Sequence, residues 1–391
     1  MATRRNGLGI DHGLDIRRQG FMGFGRVLRH AARVLLPKRD GLPLYLIHFI
    51  TENCTANCGH CLVGAKTLIR DELSVDEVER ISRSTGELLF MFLTGGEPFL
   101  RPDIAEIARI WYTQNRVQKF QIPSNGSLGE TTVQRAREIC RLCPEAHVSV
   151  SISLDAVGEA HDRSRRLPGL FERAVATYRQ LKVLEKECSN FNVNVTVTVS
   201  RTNQDELEKL HDYVVNELGC GNLFNTLVRG RPTEPETLQV DIDKFEAFSD
   251  RLDADLRQAR FRGYRNFPFA DLVNAKNLIS RKMIARTARG GGYEVPCYAG
   301  SLAAVLRSRG QLYPCELLET PIADLRQNGY DLAKAWRSEE ACAIRRWIRT
   351  SKCHCTHECF VTVNILFNPR FYPRLASECS KLKWRRVFGR A

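Results

Sequence analysis

The stretch "LPLYLIHFITENCTANCGHC", residues 42–61, runs an apolar, aromatic segment directly into three cysteines. Its residues 44–50 predict a strand buried on both faces, the kind that belongs in a parallel sheet covered by helices. Just past its C-terminal end stand Cys54, Cys58 and Cys61, in the order Cys-x3-Cys-x2-Cys. Loops at that end of the strands are where β/α barrels assemble their sites. Three soft ligands are one fewer than a closed tetrahedral zinc site uses. A [4Fe–4S] cluster held by three thiolates instead leaves one iron open to a small molecule. Zinc is the competing reading, with His60 as a crowded fourth ligand.

The same alternation continues outward. Strand-like runs recur at 88–94, 118–123, 147–154, 192–199 and 222–228, with helical patterns between them. Ser74 with Glu77, and Asn203 with Glu206, have the spacing of capping boxes that open two of these helices. Six such units imply an α/β fold, a partial (β/α)6 TIM-type barrel with a smaller Cys-rich C-terminal domain. The expected organisation is a basic N-terminal extension (1–43), the barrel (44–235), a linking helical or irregular segment (236–290), a cysteine-bearing domain (291–366) and a basic tail (367–391). Within the extension, residues 21–36 have the pattern of a short amphipathic helix.

Composition narrows the setting. No signal sequence or run long enough to span a bilayer is visible, so the fourteen cysteines are expected to be reduced in the cytoplasm, the clustered ones to serve metal or iron–sulfur ligation and Cys140, Cys143, Cys188 and Cys220 to be ordinary core or loop thiols. A formal net charge of +13 suits an acidic partner, whether nucleic acid, an anionic membrane surface or a phosphorylated substrate.

At the end of the second predicted strand stands "TGGEP", residues 94–98. Together with the cysteine triad it resembles the radical S-adenosylmethionine (radical SAM) superfamily. The resemblance implies that Cys54, Cys58 and Cys61 hold a [4Fe–4S] cluster whose open iron is chelated by S-adenosylmethionine (SAM). It implies that Gly95, Gly96, Glu97 and Pro98 form the loop receiving the methionyl ammonium, and that His60, where the family often has an aromatic residue, packs beside the adenine. "SLDAVGEAHDRSRRLPGLFE", residues 153–172, resembles the family's fourth-strand segment, with Ser153 toward the ribose and Arg165 toward the cofactor carboxylate. Ser124-Asn125-Gly126 resembles the family's Thr-Asn-Gly.

In the C-terminal third, Cys297-x12-Gly310-x4-Cys315 resembles the opening of the SPASM or twitch module, which carries auxiliary iron–sulfur clusters. "CHCTHEC", residues 353–359, adds Cys353, Cys355 and Cys359 at spacings that depart from a full SPASM pattern. One auxiliary [4Fe–4S] cluster is expected on Cys297, Cys315, Cys359 and either Cys353 or Cys355. A second, drawing on Cys342 and Cys379, stays open, and structural zinc is the alternative.

The resemblance implies an oxidoreductase-type enzyme that reductively cleaves SAM to a 5′-deoxyadenosyl radical for hydrogen abstraction, with electrons from a flavodoxin- or ferredoxin-type donor. The expected substrate is a sugar-like or lipid-linked small metabolite, oxidised or epimerised. Basic residues among aromatics at both termini fit peripheral membrane contact. A maturase acting on a ribosomally made peptide with a separate carrier is the first alternative, and a zinc-containing nucleic-acid-binding protein is the alternative of a different class.

Overall fold

A computed structural model describes residues 41–63, 68–263 and 270–388. The amphipathic segment expected at 21–36 lies outside the described residues. Nine strands form one sheet in the order β6-β5-β4-β3-β2-β1-β7-β8-β9. They are β1 (Tyr45–Thr51), β2 (Phe90–Gly95), β3 (Lys119–Ser124), β4 (His147–Ser153), β5 (Phe191–Val199), β6 (Leu223–Leu227), β7 (Ala303–Leu306), β8 (Gln311–Tyr313) and β9 (Ala323–Asp324). The six strands expected from the sequence are β1 to β6, all paired in parallel. Helices on the outer face connect them, giving the partial barrel.

Burial explains the strand sequences. All seven residues of β1 are buried, so its apolar run carries no polar face. On the outer layer, the helix Val75–Ser84 begins as its spacing predicts, with the Ser74–Glu77 capping box formed in both directions. The second expected box does not form. Glu206 precedes the helix Leu207–Asp212 without a side-chain cap, and the Asn203 amide donates instead to the carbonyls of Asp155 and Thr198. Asn203 therefore ties the end of β4 to the end of β5.

Beyond β6 two long helices, Ile242–Arg257 and Ala270–Ala288, occupy much of the segment expected to be partly irregular. The C-terminal hairpin β7–β8 is joined to the barrel sheet: β7 runs parallel to β1, with Tyr45 opposite Ala303 and His48 opposite Leu306. The basic tail is also ordered, as the helix Tyr372–Phe388, which buries Leu375 and Leu382 while Trp384 stays exposed. Cys379 Sγ lies 3.4 Å from the Asp271 carbonyl, tying this helix to the start of Ala270–Ala288. Among the described residues no helix is long and apolar enough to cross a membrane.

Candidate active site

The triad loop leaves β1 at Thr51 and is held from three sides. Glu72 accepts from the Thr51 hydroxyl (2.8 Å) and the Glu52 amide (2.9 Å), fixing the exit from the strand. From β2, the Gly96 N–H donates to the Thr51 carbonyl (2.9 Å) and the Glu97 N–H to the Asn53 carbonyl (2.8 Å). Beyond β6, Thr233 N–H donates to the Cys61 carbonyl (3.0 Å) and Glu234 N–H to the Gly59 carbonyl (2.8 Å). Underneath, Cys54, Cys58 and Cys61 pack with Ala56 against Leu167 and Leu170, in a small apolar cluster separate from the main core.

The twin glycines are required by this packing. Gly95 has φ +142, and a Cβ there would stand 1.7 Å from the Thr51 carbonyl oxygen; at Gly96 it would stand 2.2 Å from that of Asn53. Backbone on both sides leaves nowhere for a methyl group to go. Glu97, which follows, is fully buried. Its carboxylate accepts from the backbone amides of Asn125 (2.7 Å) and Phe99 (3.2 Å) and from the Ser124 hydroxyl (3.0 Å). Burial pushes its pKa up to about 7 against the pull of these donors. Glu97 and Pro98 are buried, and the Glu97 carboxylate joins the ends of β2 and β3. Asn125 in turn donates to the Thr55 hydroxyl (2.9 Å) and reaches Cys54 Sγ (3.7 Å), linking β3 to the triad loop.

Arg165 closes the short helix Glu159–Arg165. Its Nε donates to Asp155 Oδ2 (2.7 Å), and the other Asp155 oxygen accepts from Thr198 N–H (3.0 Å). Burial favours the neutral acid, but the Arg165 guanidinium outweighs it and holds the Asp155 carboxyl at about 2. His60 Nε2 lies 3.7 Å from the same carboxylate. The Arg165 carbonyl accepts from Asn57 N–H (3.1 Å), so the arginine is also tied to the triad loop. Burial raises the Cys58 thiol to about 11, with Arg165 pulling in the opposite direction.

A cavity of about 410 Å³ opens from this face. Cys54, Cys58, Cys61, His60, Gly95, Gly96, Ser124, Asn125, Ser153 and Arg165 all line it. Its volume and largely apolar walls are those of a ligand site. It continues past Phe49, Phe92 and Phe224 to a second group of residues, among them Tyr45, Lys119, Arg229, Lys276, Arg281, Glu316, Glu358 and Cys359. Apart from Cys359, sequence reasoning missed this end, because its residues come from six separate segments with no spacing in common. It also missed Asp155 as the partner that positions Arg165, and Glu72 and Glu234 as clamps on the triad loop.

The C-terminal thiols divide. Cys297 shares a hydrogen bond with Cys353, and its thiol is driven up, first by that bond and then by burial. The mirror effect lowers Cys353 to about 7. Cys355 lies near enough to raise Cys297, and the charges of Cys355 and Cys353 both act on Cys315, whose burial takes it to about 12. Cys297, Cys315, Cys353 and Cys355 thus form one neighbourhood. Cys359 stands apart from it. Its sulfur meets Tyr45 and lies by Glu358 and Glu316 on the cavity wall, and burial raises its pKa. Both Cys353 and Cys355 thus lie with Cys297 and Cys315, while the Cys359 sulfur lies toward Tyr45 and Glu358. Cys342 is exposed beside Arg345, and Cys379 bonds the Asp271 carbonyl. Cys140, Cys143 and Cys220 are buried in the barrel's main core.

Residues 49–218 match the radical SAM superfamily. The chain is similar to the AdoMet-dependent heme synthase of Methanosarcina barkeri, 28% identical over 304 residues that cover 74% of this chain and 81% of that protein. It is similar to the sporulation killing factor maturation protein SkfB of Bacillus subtilis, 24% identical over 73% of this chain and 63% of that protein. Among solved structures, Streptococcus suis SuiB bound to S-adenosylmethionine superposes with a TM-score of 0.57 at 15% identity, covering 84% of this chain and 73% of SuiB, a likeness of fold.

Proposed function

We propose, from the match of residues 49–218 to the radical SAM superfamily, that this chain is a radical SAM enzyme using a [4Fe–4S] cluster and SAM, and that it abstracts hydrogen from a substrate held in the cavity beside the triad. The observation that carries the reading is the placement of three thiols from one loop at the mouth of a cavity that also exposes Gly95, Gly96, Ser153 and Arg165. The donor set fits the group. Cys54, Cys58 and Cys61 would hold the cluster, and the backbone at Gly95 and Gly96 would receive the methionyl ammonium. Arg165 would hold the cofactor carboxylate, since no protein group among the described residues accepts from its two terminal nitrogens, and Ser153 would meet the ribose. Bound there, cluster and cofactor supply homolytic removal of hydrogen from an unactivated carbon.

The protein's own part is orientation and shelter. Asp155 fixes the Arg165 side chain, Glu97 and Asn125 fix the triad loop, and the apolar cavity walls exclude water from the reacting carbon. The Cys297, Cys315, Cys353 and Cys355 neighbourhood is proposed to carry one auxiliary cluster, which favours a net oxidation by accepting an electron from the substrate. An external flavodoxin- or ferredoxin-type protein would supply the reducing electron.

For the substrate we propose a small organic molecule that enters the cavity as a whole. A peptide maturase is the second reading, favoured by the similarity to SkfB, a maturation protein. The test is anaerobic reconstitution followed by reduction with dithionite and assay for 5′-deoxyadenosine. Uncoupled formation of 5′-deoxyadenosine is expected, and stoichiometric zinc with none formed would end the proposal.

A further inference from the structure

The second end of the cavity contains an imbalance of charge. Four basic residues line it, Lys119, Arg229, Lys276 and Arg281. Arg229 is met by Glu358 (2.9 Å) and Glu316 (3.5 Å), and Glu316 is also bonded to His357 Nε2 (2.8 Å). Arg281 is paired with Asp253 and donates to Asn225 Oδ1 (3.1 Å). Both acids of this wall are thus already committed. Lys276 has only neutral partners among the described residues, the Asn277 side-chain oxygen and the Thr362 hydroxyl (2.9 Å). The residue is 7% exposed.

A buried ammonium without a carboxylate is costly to the fold. It persists where another molecule supplies the missing charge. Burial lowers the Lys276 pKa to about 8, with Cys359 and Glu358 pulling it back up. An ammonium has three donors, and protein takes two of them here. The third is left for the cavity, whose walls here are Tyr45, Phe90, Val273, Ile284 and Leu366. Lys119, the first residue of β3, lines the same space, but its burial and the nearby charge of Lys276 lower its pKa well below the ordinary lysine value and disfavour its charged form.

We propose that Lys276 is the anchor for a carboxylate on the substrate, and that the substrate is a molecule with an apolar body carrying that carboxylate. This rests on the reading of the cavity as the substrate chamber of a radical SAM enzyme, and it names the class of substrate. A carboxylate fits better than a phosphate. A phosphate ester is commonly gripped by an arginine fork or by a run of backbone amides, and both arginines here are occupied by protein carboxylates. One ammonium flanked by a neutral amide and hydroxyl matches a single negative charge.

The experiment uses the reconstituted holoenzyme and three fragments of one shape: 4-phenylbutyrate, 4-phenylbutanamide and 4-phenylbutyl phosphate. Ligand-observed NMR titrations of wild type, Lys276→Met and Lys276→Arg give the affinities. The carboxylate is expected to bind wild type at least tenfold more tightly than the amide or the phosphate. Lys276→Met is expected to erase that preference and Lys276→Arg to restore much of it. Circular dichroism and melting confirm that the variants fold. Equal binding of acid and amide by wild type, or a preference that survives Lys276→Met, overturns the proposal; a preference for the phosphate overturns the choice of carboxylate. Uncoupled 5′-deoxyadenosine formation on the same wild-type sample separates the two levels. SAM cleavage without carboxylate preference rejects this inference alone, and carboxylate preference without SAM cleavage rejects the enzyme reading alone.

Discussion

The two thiol groups of this chain are built in opposite ways. Cys54, Cys58 and Cys61 come from one loop, and everything around them holds that loop's backbone: Glu72, Gly96, Thr233 and Glu234 each bond to it or to the strand end it leaves. Cys297, Cys315, Cys353 and Cys355 come from three places in the sequence and meet only because the β7–β8 hairpin and the segment after the helix Glu339–Thr350 fold together. A local set can present an open corner to a ligand, because its scaffold does not depend on closing the site. A set gathered from distant segments is suited to a closed site, where each ligand also fastens a piece of chain.

The largest test of that contrast is the triple substitution of Cys54, Cys58 and Cys61 by alanine. It is expected to remove about four irons and leave about four others, and to lower 5′-deoxyadenosine formation by at least about a thousandfold. Iron and sulfide counts after anaerobic reconstitution check it, and loss of all iron would break the independence of the two groups.

Single substitutions sharpen the second group. Cys355→Ala is expected to cost about four irons, whereas Cys359→Ala should leave the count at the wild-type value. The reverse result would return Cys359 to the ligand set and exclude Cys355.

A smaller effect concerns Arg165. Arg165→Lys keeps a cation beside the buried Asp155 but loses the planar fork, so SAM binding is expected to weaken by about tenfold to a hundredfold while the fold is kept. Equilibrium dialysis against labelled SAM measures this. A melting temperature that collapses in Arg165→Lys would mean that the arginine serves the fold more than the ligand.

The smallest effect is one of pH and belongs to the barrel region. Burial lowers His48 and His147 to about 3 and His161 to about 4. His48 and His161 each have a ring nitrogen buried without a hydrogen-bond partner, His48 Nε2 and His161 Nε2, which suits the neutral form. Their unfolded-state value is near 6.5, so below that pH the unfolded chain binds protons that the folded chain refuses. Stability is therefore full above about pH 6.5 and falls toward pH 4, by up to about 1.4 kcal/mol per histidine per pH unit. Thermal melts across that range should show the decline, and His48→Gln should make it shallower.

What could be read in advance follows the same division between local and assembled. The first six strands were visible because burial on both faces leaves a run such as "LYLIHFI" almost without polar residues. The triad and Gly95-Gly96 were visible because their function lies in spacing along one loop. Arg165 was expected from a motif, but Asp155 was not assigned as its partner, since the ion pair exists only once the helix Glu159–Arg165 folds back over β4. Glu97 was expected from the motif, but the three protein donors that hold it come from neighbouring segments and had no signal in the sequence. Lys276 had no local signal at all: within the helix Ala270–Ala288 it is one basic residue among several, and only the folded cavity separates it from the others. The tail after residue 371 was taken for a basic extension because its charges dominate, while Leu375 and Leu382, the two residues that bury it, are easily overlooked.

The hairpin that lies between Cys297 and Cys315 shares its hydrogen-bond ladder with β1, the strand that delivers the triad. Among the described residues, one continuous sheet therefore spans the gap between the two thiol groups. Electron exchange across that gap would not have to wait for a domain to swing, and its rate should be indifferent to the viscosity of the medium.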